Sequence, residues 1–135
     1  MGKVIGEMNL AELIRNMEPV LNEGAYVFAS VSDLSNIPRA LTICEVKEKE
    51  GHTVVVTKKD AEQLGLPIDF IAAWITLNIH SSLEAVGLTA AFATALGKNN
   101  ISCNVIAGYY HDHIFVDQKH AEKAMKVLWE MTRKC

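Results

Sequence analysis

The pattern that most restricts how this chain of 135 residues can fold is a strict alternation of apolar and polar residues past its midpoint. From Ile75 to His80, every apolar residue is followed by a polar one. Successive side chains of a strand point to opposite faces, so the alternation predicts a strand with one buried face. A helix is predicted directly after it, because Ser81 and Glu84 have the spacing of a capping box and Gly97 is a suitable C-terminus.

The segments after this helix predict a hairpin and a further helix. Residues Ile101–Gly108 and His113–Val116 are predicted strands joined by a turn, and Asp117 is predicted to cap the last helix. The strand–helix–strand part requires a right-handed crossover, whereas the hairpin is antiparallel. This order is most of a ferredoxin-like β-α-β-β-α-β unit, so the predicted class is α+β with an antiparallel-rich sheet. The sixth element is missing from this half, and a strand of the first half is a candidate to complete the sheet.

The first half of the chain predicts a second set of helices and strands. Asn9 is the predicted N-cap of a helix that Pro19 ends. A short helix over Lys58–Leu64 is predicted to end at Gly65. Between the two helices, three strands are predicted: Ala25–Val31, Ala40–Lys47 and Thr53–Thr57.

The composition indicates an ordinary globular protein. Half of the residues are hydrophobic, which is enough for a substantial core in a chain of this length. No low-complexity linker divides the sequence. We therefore expect two units, residues 1–66 and residues 67–135, within one compact body.

Charge and cysteine usage exclude several classes of protein. Thirteen basic and sixteen acidic residues give a net charge of −3, and no basic stripe of the kind that binds nucleic acid is present. No run of about 18 apolar residues occurs, so no membrane span is predicted. Cys44, Cys103 and Cys135 are widely spaced, and without a signal-peptide pattern they indicate reduced thiols in the cytoplasm. Cys103 lies in a predicted strand and is expected to be a buried, inert thiol.

The segment from Ile79 to Leu88 is the best candidate for a binding site. It joins a predicted strand to the start of a helix, where unpaired backbone N–H groups and a partial positive charge favour an anion. Ser81 and Ser82 can donate hydroxyl hydrogens, and Gly87 permits close approach of a ligand or another strand. An ordinary helix cap, with Gly87 serving helix–sheet packing, explains the same residues, so local chemistry leaves both interpretations open.

Longer stretches of the sequence resemble a known family. The segments Ile75–Leu88 and Asn104–Val116 resemble small stand-alone bacterial proteins of the ACT-domain family, and Gly24–Phe28 is similar to the same family. The resemblance extends over nearly the whole chain and implies tandem ACT-like units with ferredoxin-like topology. ACT domains bind amino acids at unit interfaces and pass the signal to an enzyme or regulator. The resemblance therefore implies a non-catalytic, cytoplasmic sensing protein with no cofactor and no metal.

The resemblance also implies where the ligand lies. In related ACT domains it lies between the loop that enters the first helix and the strand after that helix. The corresponding residues here are Ser81, Ser82, Glu84, Ala85, Val86 and Gly87 in the loop, and Asn104, Val105 and Ile106 in the strand. We expect backbone N–H groups near Val86 and Gly87 to hold a ligand carboxylate, and the strand to contact its ammonium. Because ACT units pair and the run Phe70–Ile79 is apolar, we also expect a homodimer.

Polar residues near the predicted C-terminal hairpin leave a second function open. His111, Asp112 and His113 could act with Glu84 in a metal-dependent hydrolase. Only His111 and His113 would share a strand face, and a zinc site needs three or four ligands. A polar turn in which Asp112 bonds backbone amides explains the same residues.

Overall fold

The computed structural model of the protein describes residues 9–79 and 86–134. The helices are α1 (Leu10–Asn16), α2 (Lys58–Leu64), α3 (Leu88–Lys98) and α4 (Ala121–Lys134), and the strands are β1 (Glu18–Val31), β2 (Cys44–Lys47), β3 (His52–Thr57), β4 (Ile71–Asn78), β5 (Asn104–Ala107) and β6 (Asp112–Asp117). The described residues form two compact units, a larger unit within residues 1–22 and 74–135 and a smaller unit within residues 23–73. The boundary between residues 66 and 67 stays a prediction.

The sheet of the larger unit has the strand order β1-β4-β6-β5. β5 and β6 form an antiparallel hairpin, in which Asn104 pairs with Phe115 and Ala107 with Asp112. This is the strand order of a ferredoxin-like β-α-β-β-α-β sheet with β1 in the place of the last strand. The α+β class and the ferredoxin-like topology are confirmed, and the first half of the chain supplies the missing strand.

The helices of the larger unit pack against one another and form its core. Helices α1, α3 and α4 are in mutual contact, and α4 also contacts β6. Asn9 caps α1 as predicted, because its Oδ1 accepts a hydrogen bond from the N–H of Glu12 over 3.0 Å. The completely buried side chains of these helices include Leu13, Phe92, Leu96 and Leu128.

The smaller unit combines β2, β3, α2 and the second part of β1. Its strand order is β2-β3-β1, and β1 is antiparallel to β3 over residues Tyr26–Val31. Helix α2 packs on these strands through a buried cluster of Val27, Val56 and Ala61. The helix ends at Gly65 as predicted, since Gly65 has the left-handed conformation (φ 70°) that closes a helix.

Strand β1 is longer than predicted. It is one strand of 14 residues that begins at Glu18, whereas the sequence pattern predicted a start at Ala25. Pro19 is compatible with the first residues of a strand, where its missing N–H is tolerated. Asn22 and Gly24 interrupt the apolar sequence pattern, although the strand continues through them. The first half of the strand was therefore not predicted.

Two other strands are shorter than predicted. β2 covers only Cys44–Lys47, because Arg39–Leu41 forms a single 3₁₀ turn after Pro38. β5 covers only Asn104–Ala107, so the buried residue Ile101 precedes the strand.

Both ends of α3 also differ from the prediction. The helix begins at Leu88, and its N-cap is Gly87, so the predicted N-cap at Ser81 is wrong. Gly97 lies inside the helix. The chain leaves the helix through Asn100, which takes the left-handed conformation (φ 61°) and donates its N–H to the carbonyl of Gly97 over 3.0 Å.

Candidate functional site

Of the predicted loop residues, Val86 and Gly87 lie at the amino end of α3, where a ligand can meet backbone N–H groups. Gly87 is its N-cap with φ 99°, and the carbonyl of Gly87 accepts the N–H of Ala91 over 2.9 Å. Because glycine has no side chain, the N–H groups of the first turn receive no hydrogen bond from the N-cap residue. Val86 is 83% exposed. The other predicted loop residues, Ser81, Ser82, Glu84 and Ala85, lie outside the described residues.

Gly87 also lies against α1. A β-carbon at this position would be 3.1 Å from Cδ2 of Leu10. A contact of that length is tighter than ordinary van der Waals packing, so only glycine fits here without a shift of Leu10. The space in front of the Gly87 Cα is therefore occupied by a side chain of the same unit.

The predicted strand residues lie on β5, the terminal strand of the larger unit's sheet. Residues directly opposite each other in an antiparallel pair project to the same face. Asn104 is opposite Phe115 and Ile106 is opposite His113, so these four side chains share one face, and Val105 projects to the other. The amide of Asn104 donates to the carbonyl of Phe115 over 3.1 Å. No described strand pairs with the outer edge of β5, and an edge of this kind offers backbone groups to a ligand or another chain.

A hydrogen-bonded group of four side chains, the His113 network, was not predicted from the sequence. Nε1 of Trp74 donates to Nδ1 of His113 over 3.0 Å, and Oγ1 of Thr76 lies 3.1 Å from the same nitrogen. The amide of Asn22 donates to Oγ1 of Thr76 over 2.9 Å and to the carbonyl of Trp74 over 3.2 Å. Thr76 is buried, although the alternation in β4 predicted one buried face made of apolar residues.

The surroundings of His113 favour the uncharged imidazole. Burial lowers the pKa of His113 below its ordinary value of 6.5, and the neighbouring His111 lowers it further, whereas the Asp112 carboxylate opposes this shift. Trp74 packs beside the imidazole with ring centroids 5.7 Å apart. His113 is half-buried near the start of β6, where its ring joins the polar side chains Trp74 and Thr76 of β4.

His111 and Asp112 lie at the turn between β5 and β6. Nδ1 of His111 is buried without a hydrogen-bond partner in the described part of the chain. Burial raises the pKa of Asp112, and His113 opposes that shift. Within residues 9–79 and 86–134, no three His, Cys, Asp or Glu side chains come together as a metal site requires. Glu84, the fourth residue of the hydrolase hypothesis, lies outside the described residues, so that hypothesis gains no support.

Each unit also has a surface cavity that contains none of the predicted site residues. In the smaller unit a cavity of about 420 Å³ is lined by Phe28, Ala29, Ser30, Thr53, Pro67 and Asp69. In the larger unit a groove of about 320 Å³ lies between α3 and α4, with Lys98, Glu130 and Lys134 on its rim. Among the described helices, none has the length and apolar character needed to cross a membrane.

Comparison with known proteins gives two adjoining family matches. A family model described as an ACT domain matches residues 5–73, and another with the same description matches residues 70–130. The chain is 46% identical to a Vibrio cholerae protein described as of unknown function and a possible transport protein, with a TM-score of 0.83 over 91% of this chain and 95% of that one. No curated protein matches the chain.

More distant structures share the fold alone. Aspartate kinase from Clostridium acetobutylicum is 15% identical with a TM-score of 0.60, and the match covers 88% of this chain and 34% of that one. The regulatory subunit of aspartate kinase from Thermus thermophilus, in its ligand-free form, is 9% identical with a TM-score of 0.62 over 84% of this chain and 95% of that one.

Proposed function

Because the chain belongs to the ACT-domain family, we propose that it is a regulatory protein that binds an amino acid or a similar small carboxylate and catalyses no reaction. The observation that carries the proposal is the amino end of α3, where Gly87 leaves the first-turn N–H groups without a side-chain cap. These N–H groups and the helix dipole favour a carboxylate at this position.

The ammonium of the ligand is assigned to the outer edge of β5. β5 is the terminal strand of its sheet, so the carbonyls on its outer side can accept hydrogen bonds from a cation. Gly108 donates its N–H to the carbonyl of the opposite residue His111, so in the alternating ladder the backbone groups of Asn104 and Ile106 face β6 and those of Val105 face the outer side. The side chain of Val105 faces away from those of Asn104 and Ile106. The ligand therefore meets Ile106 and Asn104 side chains on one face of the sheet.

Thermal denaturation in the presence of single ligands tests the proposal. Each of the common L-amino acids and related keto acids is added to the purified protein at millimolar concentration. A ligand present at about 100 times its dissociation constant should stabilise the fold by about 2.7 kcal/mol. If none of these acids raises the melting temperature, the proposed function is wrong.

A matched pair of variants at Val86 tests the position of the carboxylate. Val86 is largely exposed, so Val86→Asp and Val86→Asn should both fold. The added carboxylate of Val86→Asp repels a ligand carboxylate at the amino end of α3, whereas the isosteric Val86→Asn adds no charge. We expect Val86→Asp alone to weaken binding. Equal affinity in the two variants would place the ligand elsewhere.

Self-association is part of the proposal, but the surface proposed for it differs from the one expected from the sequence. The apolar run Phe70–Ile79 does not need a partner, because β4 is flanked by β1 and β6 and the chain itself buries Ala72, Ala73, Ile75 and Leu77. The terminal strand β5 is the better candidate, since an open strand edge pairs readily with another chain; such pairing uses the backbone groups assigned to the ligand ammonium, so the two exclude each other at this edge. Light scattering at high micromolar concentration should give the mass of a dimer, and a persistent monomer would contradict it.

The proposed location is the cytoplasm. Cys44 and Cys103 are free cysteines in the structure, and the cytoplasm is the compartment that keeps such thiols reduced. Protein isolated without a reducing agent, and with its thiols blocked at lysis, should show all of its cysteines in the blocked form. Recovery of a disulfide-linked species would argue for an oxidising compartment.

A further inference from the structure

We propose that His113 is a specificity-determining residue, whose Nε2–H donates a hydrogen bond to an uncharged acceptor oxygen in the side chain of the bound amino acid. The inference rests on the proposed function for the presence of an amino acid. Beyond the proposed function, it specifies that the side chain of the bound amino acid carries an amide or a hydroxyl, and that His113 selects it.

The first step is the tautomer of His113. An indole N–H can only donate, so the nitrogen that accepts it, Nδ1 of His113, carries no hydrogen. The hydroxyl of Thr76 accepts from the Asn22 amide and directs its own hydrogen to the same Nδ1. The single hydrogen of the neutral imidazole is therefore on Nε2.

The second step is the surroundings of Nε2. In the described part of the chain, Nε2 of His113 has no hydrogen-bond partner, whereas Nδ1 has two. Nε2 points toward Gly108, where a β-carbon would lie 3.2 Å away. The same β-carbon would lie 2.8 Å from the backbone carbonyl oxygen of His111, so the turn itself requires glycine here, and no side chain at position 108 covers Nε2. Nε2–H is thus an oriented donor without an acceptor among residues 9–79 and 86–134.

The third step connects this donor to the proposed ligand. Ile106 lies directly opposite His113 in the β5–β6 pair, so the two β-carbons are about 5 Å apart on one face of the sheet. The backbone groups of Val105, next to Ile106, face the outer side of β5, so a ligand whose ammonium contacts the Val105 carbonyl can lay its side chain over Ile106 toward Nε2.

The chemistry of the donor selects the acceptor. Burial lowers the pKa of His113, and the hydrogen bond from Trp74 requires an Nδ1 without hydrogen, so both favour the uncharged form. An uncharged donor compensates poorly for the desolvation of an anion, but it matches a neutral amide or hydroxyl oxygen. L-asparagine is therefore expected to bind more tightly than L-aspartate or L-leucine, which have nearly the same shape.

Two substitutions separate the donor from the rest of the network. His113→Asn keeps an acceptor near Nδ1 for Trp74 and Thr76 but removes the donor at Nε2. His113→Gln places an amide N–H near the position of Nε2. Calorimetric titration with L-asparagine should show a loss of about tenfold in affinity for His113→Asn and a smaller loss for His113→Gln. Binding of L-leucine should not change between wild type and His113→Asn.

Nitrogen NMR of the histidine-labelled protein tests the donor without any variant. At neutral pH the His113 signals should show hydrogen on Nε2 only, and L-asparagine should shift the Nε2–H signal. Hydrogen on Nδ1, or a doubly protonated ring, would overturn the inference even if both variants fail to fold.

The combined results distinguish the two proposals. If Val86→Asp weakens L-asparagine binding and His113→Asn does not, the proposed function stands and the role of His113 is wrong. If His113→Asn weakens binding and Val86→Asp does not, His113 contacts the ligand and the carboxylate site at α3 is wrong. If no acid binds the wild-type protein, both proposals fall.

Discussion

A β-carbon at position 87 would lie 3.1 Å from Cδ2 of Leu10, so the side chain that opens α1 occupies the space in front of Gly87. The φ angle of 99° at Gly87 is in the region that L-residues rarely adopt. Two separate effects, backbone conformation and the packing of α1 against α3, therefore require glycine here. Ligand approach is not needed to explain this glycine.

Alanine substitutions at two glycines of the same helix should have opposite effects. Gly87→Ala is expected to lower the free energy of unfolding by about 1–3 kcal/mol, from backbone strain and the contact with Leu10. Gly97→Ala is expected to raise it by up to about 0.5–1 kcal/mol, because Gly97 lies in the last turn of α3 and a β-carbon there meets nothing within 4 Å. Urea denaturation of the three proteins measures both.

A double variant separates the two effects at Gly87. In a Leu10→Ala background the contact is removed and the backbone strain remains, so Gly87→Ala should cost less than it does in wild type. An identical cost in both backgrounds would mean that Leu10 contributes nothing.

The neutral state of His113 should make stability depend on pH. The pKa of His113 is lower in the folded protein than its ordinary 6.5, so below about pH 6.5 the unfolded chain binds a proton that the folded chain resists. The contribution of neutral His113 to the free energy of unfolding is fully present above about pH 6.5. It is lost as the pH falls toward the pKa of His113 in the folded protein. The free energy of unfolding should therefore fall as the pH drops below about 6.5, and less so in His113→Asn. Equal slopes in the two proteins would contradict it.

Asp112 supplies the control for this experiment. Its pKa is raised from 3.8 by burial, so its protonation on folding stabilises the fold as the pH falls through its folded pKa, the opposite sign to His113. Asp112→Asn should remove this opposing effect and make the loss of stability on acidification steeper than in wild type.

Local signals in the sequence predicted the parts of the fold that local physics determines. The Asn9 cap of α1 and the Gly65 end of α2 depend on hydrogen bonds and backbone conformations within four residues. The first half of β1 was missed because its partner strand β4 lies some fifty residues further along, and Asn22 satisfies its amide only there. Pairing at that distance leaves no short-range pattern.

The candidate site shows the same division. The position of Val86 and Gly87 before a helix followed from the order of the elements, although the helix begins later than the capping-box spacing predicted. The His113 network joins residues 37 and 39 positions apart, so no local pattern could reveal it. One local pattern does bear on the network. Trp74 and Thr76 are two residues apart, as are His113 and Phe115, and residues two apart in a strand lie on the same face.

The core of the larger unit should be sensitive to truncation at α3. Leu96 is completely buried, so Leu96→Ala is expected to lower the free energy of unfolding by about 2–5 kcal/mol. Leu10 is 37% exposed, and Leu10→Ala should cost clearly less. Chemical denaturation measures both. Similar costs for the two would mean that α1 is packed as firmly as α3 in solution.

The half-buried thiol of Cys103 should be slow to react in the folded protein. Burial raises its pKa from 9.0 to about 11, which lowers the thiolate fraction at mildly alkaline pH by about a factor of 100. A variant with Cys44→Ser and Cys135→Ser leaves Cys103 as its single thiol, and its alkylation rate is followed by mass spectrometry. The same variant in urea gives the rate of the unfolded thiol. We expect the folded protein to react at least tenfold more slowly, because the thiolate is the nucleophile. Equal rates would show that Cys103 is solvated, and the region between α3 and β5 would then be open in solution.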